Sequence, residues 1–158
     1  GKRKLSCGIV AFVKNPFRVL LAHPGGPKHM LSNKGGWTIP KGQLDKSENK
    51  WDCAKREFKE ETNLDFPPNI QKKDAINLGN ITQRNNKVVK AWAVEMTDDD
   101  ISNFKSNTFK QWEGKHIVEY PEIDSIKYFE YDEFRVYLKR EQIPLIDRLY
   151  QQLKGKKE

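Results

Sequence analysis

Two apolar, β-branched runs open the chain at residues 5–13 and 17–22, interrupted by Asn15-Pro16. Runs of this kind split by turn residues predict a hairpin. His23-Pro24-Gly25-Gly26-Pro27 can only be turn and loop, and Trp37-Thr38-Ile39-Pro40 is a short extended piece running into Lys41-Gly42. From residue 48 to 62 the period lengthens. Trp51, Ala54 and Phe58 recur at the spacing of one helix face, and Ser47 is available as the N-cap. Residues 75–83 and 88–96 alternate as strands around Arg84-Asn85-Asn86-Lys87, a second hairpin. Residues 97–115 are polar and predict a loop, while 117–120 and 126–129 suit short strands. Two helices are expected at 131–139 and 140–153, the second burying Ile143, Leu145, Ile146, Leu149 and Leu153. With no repeat, linker or low-complexity tract, the pattern predicts a single α/β domain, one mixed sheet with helices packed on it.

Composition narrows the class. A chain of 158 residues suits one domain over residues 1–158 with a real core, and the 32% of charged residues gives it a heavily ionised surface. No apolar run approaches the roughly 18 residues of a membrane span. The basic start Lys2-Arg3-Lys4 precedes only a short apolar run without a small-residue cleavage site, so it reads as the lead into a strand and not as a signal peptide. Cys7 and Cys53 make neither a disulfide framework nor a zinc pair, which suggests buried thiols and a cytoplasmic protein. The net charge of +7 is spread along the chain, apart from a basic tail at residues 154–158 expected to fray. It lends mild support to a phosphate-bearing ligand and little to nucleic acid.

The chemistry concentrates between Gly42 and Leu64. At about 100° per residue, Glu57, Glu60 and Glu61 fall within an arc of about 100° on one helix. Crowded carboxylates repel, and a hard divalent cation relieves that repulsion while keeping waters that substrate phosphates can replace. Arg56 stands four residues before Glu60 and eight after Glu48, where it can tie a loop carboxylate to the helix. Arg-Glu-Phe-Lys-Glu-Glu alone would pass for an ordinary solvated face. The wider spacing decides otherwise: Gly42, five residues, Glu48, seven residues, Arg56-Glu57-Phe58, one residue, Glu60-Glu61, one residue, Asn63-Leu64.

That arrangement resembles the Nudix box in almost every position. The departure is Asn63 where the family has glycine, at a point that ends the helix and plausibly needs a positive φ, which Asn tolerates best among the other residues. Outside the box, residues 23–27, 37–42, 106–109, 119–124 and 143–149 look like a bacterial subgroup of predicted nucleoside triphosphate pyrophosphohydrolases. The resemblance implies a Nudix-type α/β/α sandwich with a mixed sheet. It also implies Mg2+, or Mn2+, held by Glu57 and Glu61, with Glu60 at or near the metal, Gly42 contributing through its backbone, and Glu48 and Arg56 behind them.

The expected reaction is attack of water on a phosphorus of a pyrophosphate bridge, with the cation acidifying the water and neutralising charge. A carboxylate takes the proton. Glu61 is the candidate within the box, and Glu119 and Glu122 outside it, each of the latter equally readable as a plain surface acid. On the substrate side Lys41 can reach a phosphate, and Trp37 and Trp112 can stack on a base or simply pack. Arg84 and Lys87 read as solvated turn residues, and His23 as structural. The expected partner is a small-molecule nucleotide, a nucleoside triphosphate or dinucleoside polyphosphate. Gly79-Asn80 stands where ADP-ribose enzymes of the family usually carry a proline, and the coenzyme A signature is missing. Two alternatives remain: removal of pyrophosphate from an RNA 5′ end, and a regulator that binds nucleotide or RNA without cutting it. The second ranks last because Glu48, Glu57, Glu60 and Glu61 are all present.

Overall fold

The computed structural model of the chain describes residues 4–155. Strands β1 (Leu5–Val13), β2 (Arg18–Pro24), β3 (Lys41–Gln43), β4 (Ile76–Thr82), β5 (Val88–Glu95), β6 (Thr108–Glu113), β7 (His116–Pro121) and β8 (Ile123–Glu130) alternate with helices α1 (Lys50–Thr62), α2 (Tyr131–Tyr137) and α3 (Ile143–Gly155). Single 3-10 turns lie at Lys72–Asp74 and Arg140–Gln142. One mixed sheet runs in the order β4-β5-β1-β2-β8, with β3 paired to β1, and β6-β7 form a separate two-stranded ribbon. Only β1 and β5 are parallel.

The layers follow from the period of two along β1. All its residues from Ser6 to Val13 are buried, as in a strand covered on both faces. Cys7, Ile9, Ala11 and Val13 meet Trp51, Ala54 and Phe58 of α1, whereas Val10 and Phe12 meet Phe134 of α2 and Leu145, Ile146 and Leu149 of α3. Trp92 and Val94 of β5 join the first layer, and Val89, Ala91 and Ala93 the second. The result is the expected α/β/α sandwich. No helix is long and apolar enough to cross a membrane, among the described residues.

Three expectations need correction. Asn49, not Ser47, caps α1: its side chain accepts from the Asp52 backbone N–H at 2.9 Å. The later start follows from Glu48, whose carboxylate is held in the preceding loop by the Asp45 N–H at 3.0 Å. The predicted loop at 97–115 contains β6, which is exposed at nearly every position and so carries no apolar alternation. It is held by pairing with β7, including the Phe109–Tyr120 rings at 5.8 Å and the Trp112–Ile117 cross-strand pair. The two C-terminal helices are shorter and further apart than expected. Leu138 is extended and bridges Trp37, and α3 begins at Ile143-Pro144, where proline suits a first helical turn. Helix α3 runs through Lys154 and Gly155, so those two residues are not frayed, and the rest of the expected tail lies outside the described residues, as does the basic start up to Arg3.

Gln142 locks the second layer to the strand that enters the box. It is fully buried. Its Oε1 accepts from the Ile39 N–H at 2.9 Å, and its Nε2 donates to the Thr38 hydroxyl at 2.9 Å and to Gln83 Oε1 at 3.0 Å. The turn before α3, residues 38–39 and the β4-β5 hairpin are thereby tied at one point. Gln142→Leu strands a buried backbone N–H and is expected to cost about 1–3 kcal/mol in urea unfolding. Unchanged stability would show that these groups find other partners.

Candidate active site

Arg56 organises the acidic cluster. A guanidinium has five N–H donors, and all five are used. Nε and one terminal nitrogen grip Glu48 at 3.0 and 2.6 Å, that nitrogen also donates to the Gln43 carbonyl at 3.2 Å, and the other nitrogen donates to Glu57 at 2.8 Å and Glu60 at 2.6 Å. The fork holds the Glu48 carboxyl down at about 2, well below the usual carboxylate range, and the carboxylates push the guanidinium pKa up in turn. The expectation that Arg56 ties a loop carboxylate to the helix describes what is found.

Glu57 and Glu61 lie on the strand side of α1. Register places Gly42 opposite Cys7, which brings β3 over the helix. A Cβ at Gly42 would stand 2.0 Å from the Glu57 carboxyl carbon and 2.1 and 2.2 Å from its oxygens. The glycine leaves the space that the carboxylate occupies, so a side chain here would displace Glu57, whereas its carbonyl faces the Cys53 thiol at 3.6 Å. Glu61 accepts from the Lys41 backbone N–H at 3.3 Å. Burial, then repulsion from Glu57, pushes the Glu61 pKa up to about 8, and burial raises Glu57 as well. The Lys41 ammonium is lowered by burial and by the charge of Lys139.

These carboxylates suit a divalent cation. Glu57 and Glu61 are half-buried acids, with Glu57 disfavouring the charge on Glu61, in a cradle kept open by a missing Cβ. Among the described residues no group of three or more His, Cys, Asp or Glu side chains forms a ready-made cage. Arg56 accounts for this, since it engages Glu57 and Glu60 itself. Magnesium needs only one or two carboxylates and keeps the rest of its shell for water and phosphate. The box glutamates fit that chemistry. Asn63 adopts φ 62° and ψ 14° at the end of α1, the left-handed conformation expected of it. Its side-chain amide donates to the Asn103 carbonyl at 2.9 Å, a bond glycine could not make.

The residues expected outside the box divide. Glu122, the residue between β7 and β8, is close enough for its charge to raise both Glu57 and Glu61. Glu119 lies in the β6-β7 ribbon and accepts from the Thr108 hydroxyl at 3.0 Å. Lys41 is brought to Glu61. Trp37 is not available to stack on a base: it is buried, edge-on to Phe129 at 4.8 Å and beside His23 at 5.2 Å, with its indole N–H donated to Asn33. Trp112 is 67% exposed on the ribbon, opposite Ile117. His23 is structural, its ring nitrogens engaged by Asp124 and the Ser32 carbonyl. Sequence reasoning missed Lys139, whose backbone N–H donates to Trp37 at 2.8 Å and whose charge acts on Lys41 together with that of Lys87. Lys87 stays in its hairpin turn, near enough for its charge to be felt at Lys41. A cavity of about 500 Å3 on α3, lined by Pro144, Asp147, Arg148, Gln151 and Gln152, includes none of these residues.

The family model described as the NUDIX domain matches residues 3–152. No curated protein matches the chain in sequence. Among solved structures, the chain is similar to a Caenorhabditis elegans Ap4A hydrolase in a binary complex, with 23% identity over 95% of this chain and 98% of that one and a TM-score of 0.65. It is also similar to the NUDIX domain of Shewanella oneidensis NrtR complexed with ADP ribose (17% identity, 97% and 90% covered, TM-score 0.61). A NUDIX hydrolase from Nitrosomonas europaea gives 18% identity, 98% and 74% covered, and a TM-score of 0.61. At these identities the likeness is one of fold.

Burial of Glu61 has a sign that can be measured. With its pKa raised from 4.5 to about 8, the folded state holds a proton that the unfolded chain releases. That contribution is fully present below pH 4.5 and lost as pH rises towards about 8. Without divalent metal, Glu61→Gln should therefore gain in Tm over the parent as pH rises from about 5 to about 8, and magnesium should raise the parent's Tm more at the alkaline end. A pH-independent difference between the two proteins would contradict the burial argument.

Proposed function

The chain belongs to the Nudix family, and on that premise we propose that it is a magnesium-dependent pyrophosphohydrolase, with manganese as a substitute, cleaving a phosphoanhydride in a nucleoside diphosphate linked to another group. The substrate is a nucleoside triphosphate or a dinucleoside polyphosphate. The observation that carries this reading is the half-buried pair Glu57 and Glu61, set against Gly42 and Lys41, while the five donors of Arg56 are spent on Glu48, Glu57, Glu60 and the Gln43 carbonyl. The similarity to an Ap4A hydrolase is consistent with a dinucleoside polyphosphate.

Glu57 and Glu61 would hold the cation, with Glu60 beside them on Arg56. The chemistry it supplies when bound is neutralisation of phosphate charge and acidification of water. Lys41 neutralises a phosphate oxygen from the opposite side, supported by Lys87 and Lys139. Its partly desolvated ammonium is a stronger partner for an anion than an exposed one. Glu122, between β7 and β8 and near enough for its charge to act on Glu57 and Glu61, takes the proton of the attacking water, with Glu61 the alternative base inside the box. Glu119, occupied within the ribbon, is left out.

A magnesium titration against a nucleotide panel, reading released phosphate and mononucleotide, tests the proposal. Glu57→Gln and Glu61→Gln are expected to cut kcat at least about a hundredfold with the fold retained. Near-parental activity in either variant would falsify the ligand assignment. Gly42→Ala should do similar harm by displacing Glu57, with little change in unfolding free energy. An active Gly42→Ala would show that Glu57 need not sit where the glycine leaves room.

A further inference from the structure

A cavity of about 310 Å3, with Glu122 on its lining, opens beyond the end of β2, at the lower end of the roughly 300–1,000 Å3 typical of small-molecule clefts. The loop at residues 24–29 forms one wall and the β6-β7 ribbon the other, with Phe109, Gln111 and Glu122 among the lining residues. Two glycines let the walls meet. A Cβ on Gly25 would strike the Pro121 carbonyl at 2.1 Å, and one on Gly26, at φ 94°, would reach Phe109 Cζ at 2.6 Å. The junction is fastened by backbone bonds from Gly25 N to the Glu122 carbonyl at 2.9 Å and from Glu122 N to Asn107 at 2.7 Å, and by Ile123 N to the Ser106 hydroxyl at 2.8 Å. The cavity is thus a built space at the mouth of β8.

We infer that this cavity takes the nucleobase of the substrate, with Phe109 as its stacking surface and Gln111 reading the edge of the base. The inference rests on the nucleotide-hydrolase reading and deepens it. Phe109 is backed by Tyr120 at 5.8 Å, which holds the ring against the cavity. The Gln111 amide nitrogen is engaged by Glu113 at 2.9 Å, and its carbonyl oxygen is the group able to accept from an exocyclic amino group. Glu122 belongs both to this lining and to the electrostatic environment of Glu57 and Glu61. A base seated on Phe109 therefore directs its ribose and phosphates past Glu122 towards the carboxylates, and Lys28 at the rim adds positive charge on the same wall.

Kinetics on ATP, diadenosine tetraphosphate and methyl triphosphate, which has the phosphates without a base, test this. Phe109→Leu keeps an apolar side chain and removes the ring. It should lower kcat/KM for the nucleotides about tenfold relative to methyl triphosphate, chiefly through KM, and Phe109→Tyr should restore it. Equal loss on all three substrates, or no loss, overturns the inference. Calorimetric binding of AMP in magnesium separates this failure from failure of the hydrolase reading. If the parent turns over none of these substrates yet binds AMP, and Phe109→Leu weakens that binding, the cavity assignment stands and the hydrolase assignment falls. If the parent does not bind AMP, the cavity assignment falls.

Discussion

Everything in the acidic cluster depends on the five donors of Arg56. Because they are fully used by Glu48, Glu57, Glu60 and the Gln43 carbonyl, one planar cation sorts four glutamates into two groups. Glu48 is anchored and ionised. Glu60 stays at the exposed edge. Glu57 is shared between the fork and the cradle under Gly42, and Glu61 is left outside, facing a backbone amide and a buried lysine. A lysine at position 56 could not do this, since three donors on a point charge cannot span a loop carboxylate, a strand carbonyl and two helix carboxylates. The repulsion that would unwind an isolated helix of this sequence is thereby concentrated on Glu57 and Glu61, where a divalent ligand can relieve it.

The fold's share in this is register. Helix α1 docks through Trp51, Cys53, Ala54, Phe58 and Thr62 on the face of β1 that carries Cys7 and Ile9. Strand β3 pairs with the same stretch of β1 and is only three residues long. A slip of one residue would turn Gly42 away and set a side chain into the Glu57 carboxylate. The Cys53 thiol, within reach of the Gly42 and Gln43 carbonyls, closes the contact from the helix side. Gln142 does the equivalent from the other layer by capping the Ile39 N–H two residues before Lys41. The box is rigid because both layers of the sandwich hold the strand that enters it.

How much of this was legible depended on whether a residue belonged to a period or a fixed spacing. The buried alternation of β1, the face of α1 and the second hairpin were plain, and so was the cluster from Gly42 to Asn63, including the left-handed conformation at its end. What escaped was set by contacts between distant segments. Strand β6 has no apolar face to betray it. Ser47 and Asn49 are equally good caps by type, and only the fixing of Glu48 in the loop decides between them. Trp37 offered an aromatic in the right segment, but core demand from Phe129 and His23 claimed it. Lys87 and Lys139 come from a hairpin turn and a helix junction, so no spacing along the chain could join them to Lys41.

That last convergence bears on why a polyphosphate suits the site better than a bare cation or a bare anion. Lys41 is lowered by burial and by other lysines, as Glu61 is raised by burial and by other glutamates. Lys41 and Glu61 each sit among like charges, and their attraction for one another does not cancel either shift. A cation alone would relieve the acids and leave the lysines repelling. A phosphate alone would relieve the lysines while meeting Glu57, Glu61 and Glu122. A divalent ion together with a phosphate chain, as proposed, would relieve both: Glu57 and Glu61 would hold the ion and Lys41 would neutralise phosphate charge. The net charge of +7, uninformative when spread over the sequence, becomes specific at Lys41, which feels Lys87 and Lys139 on one side and Glu57 and Glu61 on the other.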